Sequence, residues 1–118
     1  MNKDDYLAND CYTPIAIANG QAASAAIDLS GTDLCGIFFP AAMTGAKLTI
    51  QASEALNGVY REVQKDEAGG GAFEITVSAG KYAPITNLAI TAGLRYIKLV
   101  SNATEAADRA LVLATRPI

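Results

Sequence analysis

The sequence contains no histidine and no tryptophan, and only 18% of its 118 residues are charged. The absence of histidine excludes a Ser-His-Asp triad, a Cys-His pair and every histidine-ligated zinc site. The absence of tryptophan removes the best side chain for stacking on a sugar ring. The composition therefore disfavours an enzyme, and we expect neither a metal nor a cofactor.

Cysteine is also scarce, since the chain has only Cys11 and Cys35. Two cysteines are too few for a zinc cluster or for the disulfide framework of a small secreted domain. Both lie among apolar residues, which favours two buried thiols. A disulfide between them is the alternative, and their spacing does not decide between the two.

Long apolar runs are missing as well. No stretch approaches the roughly 20 residues of a membrane-spanning helix, and no apolar signal segment follows Met1–Asp5. A net charge of −3 argues against nucleic acid or an anionic membrane as the partner. With 51% hydrophobic residues the chain is expected to fold, and its length suits one domain.

Apolar and polar residues alternate in several short runs, a pattern typical of half-buried β-strands. In residues 47–52, Leu48, Ile50 and Ala52 fall on one face of the predicted strand. Residues 109–115 are apolar on both faces, which predicts a central strand or a strand covered by a neighbour. Further strands are predicted at residues 12–17, 25–29, 34–39, 60–64, 73–78 and 95–99.

Glycine-containing turns separate these runs at close intervals. About eight short strands at this spacing predict an all-β fold, an antiparallel jelly-roll-like β-sandwich or a barrel. We expect one domain over residues 13–118, preceded by an extended N-terminal arm over residues 1–12. Residues 103–108 are predicted to form a helical turn within a loop.

Asp28 and Asp33 flank a Ser-Gly turn. Their carboxylates and nearby carbonyls suggest a calcium site as one interpretation. Ordinary turn chemistry, in which aspartate accepts from backbone N–H groups, is the favoured interpretation.

The N-terminal arm carries two tyrosines, and aromatic side chains are common anchors in protein interfaces. We therefore predict that the arm docks on another subunit, and that the loop over residues 103–108 is a secondary contact. The predicted contact residues are Asn2, Lys3, Tyr6, Leu7 and Tyr12 in the arm, with Thr104 and Glu105 in the loop.

An ordered series of motifs runs through residues 25–115. An apolar run ends at Pro40 and a small-residue turn follows; then come Leu48-Thr49-Ile50-Gln51 and Asn57-Gly58-Val59-Tyr60, and later the run from Arg95 to Ser101 and a final apolar strand. This order resembles small structural proteins of tailed phages, among them the jelly-roll decoration or cement proteins of phage heads. The sequence departs from that pattern in having Tyr60 where tryptophan is common, and in an approach to Asn57-Gly58 that is two residues longer.

The resemblance implies a non-enzymatic virion protein that binds the outside of the head lattice and stabilises the shell by bridging capsid subunits. The implied partners are the major capsid protein and further copies of the chain, with a trimer slightly favoured over a dimer. Its implied location is the capsid surface, and the host cytoplasm during assembly. The alternative is a carbohydrate-binding or tail-associated sandwich, which would show a row of exposed aromatic side chains on one sheet face or loop end.

Overall fold

A computed structural model describes residues 12–65 and 70–117. Within these ranges the chain forms nine strands and one short 3₁₀ turn. The strands are β1 (Tyr12–Ile17), β2 (Ile27–Asp28), β3 (Thr32–Phe38), β4 (Lys47–Ser53), β5 (Arg61–Glu62), β6 (Glu74–Thr76), β7 (Tyr82–Pro84), β8 (Tyr96–Ser101) and β9 (Arg109–Pro117), and the 3₁₀ turn is Leu88–Ile90.

The strands form two antiparallel sheets. Sheet A has the order β1-β9-β3-β7, and sheet B has the order β2-β8-β4-β5, with β6 paired to the other half of β4. The chain changes sheet repeatedly, for example from β2 to β3 and from β3 to β4. The predicted all-β antiparallel sandwich is confirmed.

One apolar core lies between the sheets. The inward side chains of β4 and β9 are at its centre: Leu48, Ile50 and Leu113 are fully buried, and Leu111 is nearly so. This is the alternation that the sequence predicted for β4, and full burial of each such side chain contributes about 1.5–3 kcal/mol. Ala52, predicted to face inward, is partly buried and packs against the same core.

β9 is the central strand predicted for residues 109–115. It pairs with β1 on one side and with β3 on the other. The pairing with β3 shifts between Leu34 and Gly36, so Cys35 is the extra residue of a β-bulge. Cys35 is a free thiol and is only partly buried, so the expectation of a fully buried thiol is wrong at this position. Cys11 lies outside the described residues.

Two local features differ from the sequence analysis. β7 is a strand that was not predicted; among the described residues it pairs with β3 alone, at the edge of the sheet, where the missing N–H of Pro84 is tolerated. The helical turn predicted at residues 103–108 is a pair of bends instead. Tyr12, the last residue of the predicted arm, is the first residue of β1.

Both aspartates beside the Ser-Gly turn accept from backbone N–H groups; the bond of Asp28 lies within the turn, and that of Asp33 reaches a residue 60 positions along the chain. Asp28 Oδ1 accepts from the Ser30 N–H at 2.8 Å, and Asp33 Oδ1 accepts from the Gly93 N–H at 3.2 Å. Across residues 12–65 and 70–117, no three His, Cys, Asp or Glu side chains cluster in a way that could hold a metal ion. The same residues contain no helix that is long and apolar enough to cross a membrane.

The alternation in β9 gives a direct test of the fold. Leu113 points into the core and is fully buried, whereas its neighbour Val112 is only partly buried and points outward. We expect Leu113→Ala to lower the free energy of unfolding by about 2–5 kcal/mol, and Val112→Ala to lower it by less than about 1 kcal/mol. Urea denaturation followed by circular dichroism measures both, and equal losses would contradict the register of β9.

Candidate interaction surfaces

The outer face of sheet A carries no charge over three successive rows of side chains. We call this surface the A face, and it has ten members. They are Tyr12, Pro14 and Ala16 on β1, Ala110, Val112 and Ala114 on β9, Gly36 and Phe38 on β3, and Tyr82 and Pro84 on β7.

The next row of sheet A is charged, because Asp33 lies opposite Arg116 there. The A face therefore has an apolar centre with a polar boundary at one end, which is the general arrangement of a protein interface.

Three aromatic rings form a ridge on the A face. Tyr12, Phe38 and Tyr82 are 53%, 40% and 41% exposed. The rings of Phe38 and Tyr82 are 4.5 Å apart between centroids, and those of Tyr12 and Phe38 are 6.0 Å apart in an edge-to-face arrangement. Aromatic pairs at such distances stabilise one another, so Phe38 connects the two tyrosine rings into one continuous cluster.

Tyr82 is held against the sheet by Gly36. Its ring lies where a side chain at position 36 would be, so a Cβ on Gly36 would collide with the ring. Its hydroxyl donates to the Cys35 carbonyl at 3.5 Å. Burial, and after it the neighbouring Cys35 and Tyr12, raise the pKa of the Tyr82 hydroxyl above its ordinary 10.0. The ring therefore adds no charge to the A face at neutral pH.

Beside the ridge, small side chains leave a shallow apolar depression of about 230 Å³. Its rim is formed by outward residues of the A face, and its floor by Ile15 and Leu111. The rim residues are Pro14, Ala16, Ala110 and Val112. The A face thus combines a raised aromatic part with a sunken aliphatic part.

The outer face of sheet B is chemically different. Lys47 and Glu74 form an ion pair there, at 3.6 Å between nitrogen and oxygen, and Glu62 and Lys98 flank Gln51 on either side. The Lys98 ammonium also lies 4.4 Å from the centre of the Tyr60 ring. This face carries charges of both signs and suits contact with water.

Glu105 organises the loops at one end of the sandwich. Its side chain is fully buried. Oε1 accepts from the Thr44 N–H at 2.8 Å and from Arg109 Nε at 2.9 Å, while Oε2 accepts from the Gly45 N–H at 2.9 Å and from the Ser101 hydroxyl at 2.8 Å. One carboxylate thereby joins the β3–β4 loop, the end of β8 and the start of β9.

The four donors determine the charge state of Glu105. Burial by itself raises the pKa of this carboxyl, but the hydrogen bonds, led by those from Thr44 and Gly45, favour the charged form more strongly and lower the pKa from 4.5 to about 2. Glycine is required at position 45, because a Cβ there would collide with the Ser101 hydroxyl and lie 2.9 Å from Asn102 Oδ1.

The structure separates the predicted contact residues. Thr104 is exposed and accessible to a partner, whereas the side chain of Glu105 is buried inside the loop cluster. Tyr12 pairs with Ala114, and the other end of β1 pairs with Arg109, so Tyr12 and the loop over 103–108 lie at opposite ends of the sandwich. The other predicted contacts, Asn2, Lys3, Tyr6 and Leu7, lie outside the described residues.

The A face itself was missed by the sequence analysis. Residues 109–115 gave the one indication, since their apolar character on both faces predicted a central strand. The sequence does not show that the outer side of this strand stays exposed, nor that Phe38 and Tyr82 lie beside it.

We expect Glu105→Gln to lower the free energy of unfolding at pH 7 by about 2–4 kcal/mol. The NH2 of the amide cannot accept, so in either orientation it leaves one backbone N–H and one side-chain donor, Arg109 or Ser101, without an acceptor. A group whose pKa falls on folding stabilises the protein above its unfolded pKa and loses that effect as the pH drops. The stability difference between wild type and variant should therefore be full above pH 4.5 and decline toward pH 2.

Urea denaturation at several pH values measures this difference. Glu74→Gln is the matched control, since Glu74 is half-exposed in its ion pair with Lys47 and should contribute less than about 1 kcal/mol. A difference for Glu105→Gln that stays constant from pH 7 to pH 2 would contradict an ionised, hydrogen-bonded Glu105.

The chain was compared with protein families, with curated proteins and with solved structures. No family model matches the chain, and neither a curated protein nor a solved structure matches it.

Proposed function

We propose that this protein is a structural subunit that assembles with other proteins, and specifically a decoration protein of tailed-phage heads. The observation that carries the proposal is the contrast between the uncharged A face and the charged outer face of sheet B. An exposed apolar patch of this kind marks an interaction site in soluble proteins. A chain with one such face is expected to function with that face covered by another protein chain.

The assignment to phage heads rests on the resemblance of residues 25–115 to phage decoration proteins. In this proposal the partner is the major capsid protein, and each copy contacts neighbouring capsid subunits on the outside of the lattice. The free energy of these contacts adds to the stability of the bare shell. The role is mechanical and needs no catalytic group.

The loop end supports such a role because hydrogen bonds connect its segments to one another. Glu105 ties three segments together through four hydrogen bonds, and Arg109 also donates to Thr44 Oγ1 at 3.2 Å. Asn19 donates its backbone N–H to Asp108 at 2.8 Å, which adds the β1–β2 loop to the same cluster. A preorganised surface loses little conformational entropy on binding.

Carbohydrate binding is the second candidate, and the exposed aromatic rings of the A face favour it. Two features weigh against it. The ring planes are tilted by 63° and 42° from their neighbours, so they do not form a flat stacking platform. The surrounding alanine, proline and valine side chains offer no hydrogen bonds, which sugar hydroxyls need for orientation.

Heads that lack the protein provide the test. Purified protein is mixed with such heads, and the pelleted particles are imaged by cryo-electron microscopy. We expect ordered density at fixed lattice positions, and release of the packaged genome at a higher temperature than from bare heads. A protein that stays in the supernatant and binds a glycan array would favour the second candidate and overturn the first.

Removal of residues 2–11 tests the predicted arm separately. We expect the shortened protein to keep the sandwich, because β1 begins at Tyr12, and to bind heads at least about tenfold more weakly, since interface anchors are lost. Circular dichroism checks the fold, and a pelleting titration measures the binding. The exposed-loop variant Thr104→Ala is the comparison for the secondary contact. Unchanged binding of the shortened protein would remove the arm from the contact surface.

A further inference from the structure

We propose that the A face is the contact surface between two copies of this chain, which pack face to face about a two-fold axis that lies in the plane of the contact, parallel to sheet A. The inference rests on the proposed function only in treating the protein as an assembly subunit, and it names the partner of one surface. It selects a dimer as the basic unit, whereas the resemblance to phage decoration proteins slightly favoured a trimer.

Charge is the first argument. None of the ten side chains of the A face is charged, although the chain as a whole has a net charge of −3. Two identical negative molecules repel one another least when their charges lie away from the contact. Apolar, uncharged centres are typical of interfaces between identical subunits, more than of transient contacts between different proteins.

Shape is the second argument. The ridge of Tyr12, Phe38 and Tyr82 and the aliphatic depression lie side by side on one surface. A two-fold axis between them places the ridge of each copy over the depression of the other. The contact is then made twice with the same residues, which is the defining property of an isologous interface.

Area is the third argument. An aromatic side chain has roughly 200 Å² of surface, so the exposed fractions of the three rings leave on the order of 300 Å² uncovered. With the flanking prolines, alanines and Val112, the A face reaches the upper part of the roughly 300–600 Å² range of surface patches. Two copies together bury about 1,000 Å², the lower bound for a specific interface. We therefore expect a dimer of micromolar affinity.

The N-terminal segment fits the A face less well as an occupant. Residues 1–11 contain Lys3, Asp4, Asp5 and Asp10, against only a few large apolar side chains. Placing those charges on an uncharged surface would remove them from water without partners, which is unfavourable. The segment joins the sheet at Tyr12, at the border of the A face, and remains available for other contacts in a face-to-face dimer.

Sedimentation equilibrium of the full chain in reducing buffer tests the inference, with protein from about 1 to 300 µM. We expect a species of 24.4 kDa, twice the 12.2 kDa of one chain, at the higher concentrations. Val112→Lys places a charge at the centre of the A face, and it should weaken association by about 100-fold or more. Gln51→Lys is the matched control, on the central strand of sheet B and facing outward, and it should leave association unchanged.

A second variant guards against a folding defect in the first. Ala16→Lys lies on the edge strand β1, at an exposed position of the same face, and should also give monomers. Circular dichroism confirms that each variant is folded.

Three results would overturn the inference: a wild-type protein that is monomeric at every concentration, a trimer, or a dimer that survives both substitutions. Failure of the proposed function is separately visible, because it is measured by binding to heads. A monomeric wild type that decorates heads would disprove the dimer and leave the function intact, whereas a dimer that ignores heads would do the reverse.

Discussion

β9 runs between β1 and β3, and its side chains alternate between the core and the A face. Leu111 and Leu113 fill the interior, while Ala110, Val112 and Ala114 form the middle of the outer surface. β1 pairs with residues 109–114 of this strand and β3 with residues 112–117, so two neighbours together fix its position. The core and the candidate interface therefore depend on the same pairing, and a change of register in β9 would exchange their side chains.

Glu105 supplies the complementary constraint just before this strand. A buried charge is costly unless its hydrogen bonds are complete, and the two oxygens of Glu105 accept from four donors. The carboxylate fixes Arg109, the first residue of β9, relative to the β3–β4 loop. Loop geometry at this end and strand register in sheet A are thus coupled through one side chain.

The sequence predicted the strands that show clear alternation, such as β4, and the central position of β9. It missed β7, because an edge strand of three residues offers too little alternation to predict a strand. It placed Glu105 at the surface, because a charged residue in a polar loop is usually exposed. Its burial depends on the backbone N–H groups of Thr44 and Gly45, which are more than 55 residues away in the chain. A local sequence pattern cannot predict contacts at that separation. The ridge of Tyr12, Phe38 and Tyr82 is hidden from sequence for the same reason.

The two border strands of sheet A share a feature with a consequence for solution behaviour. β1 contains Pro14 and β7 contains Pro84, and a proline offers no N–H for a further strand to pair with. An apolar sheet with open borders can recruit further chains sideways into fibrils. With a proline on both borders, sideways growth is discouraged, and association is directed to stacking on the flat surface. In the proposed dimer the contact uses the A face of both copies, so association would end at two chains instead of continuing into a fibre.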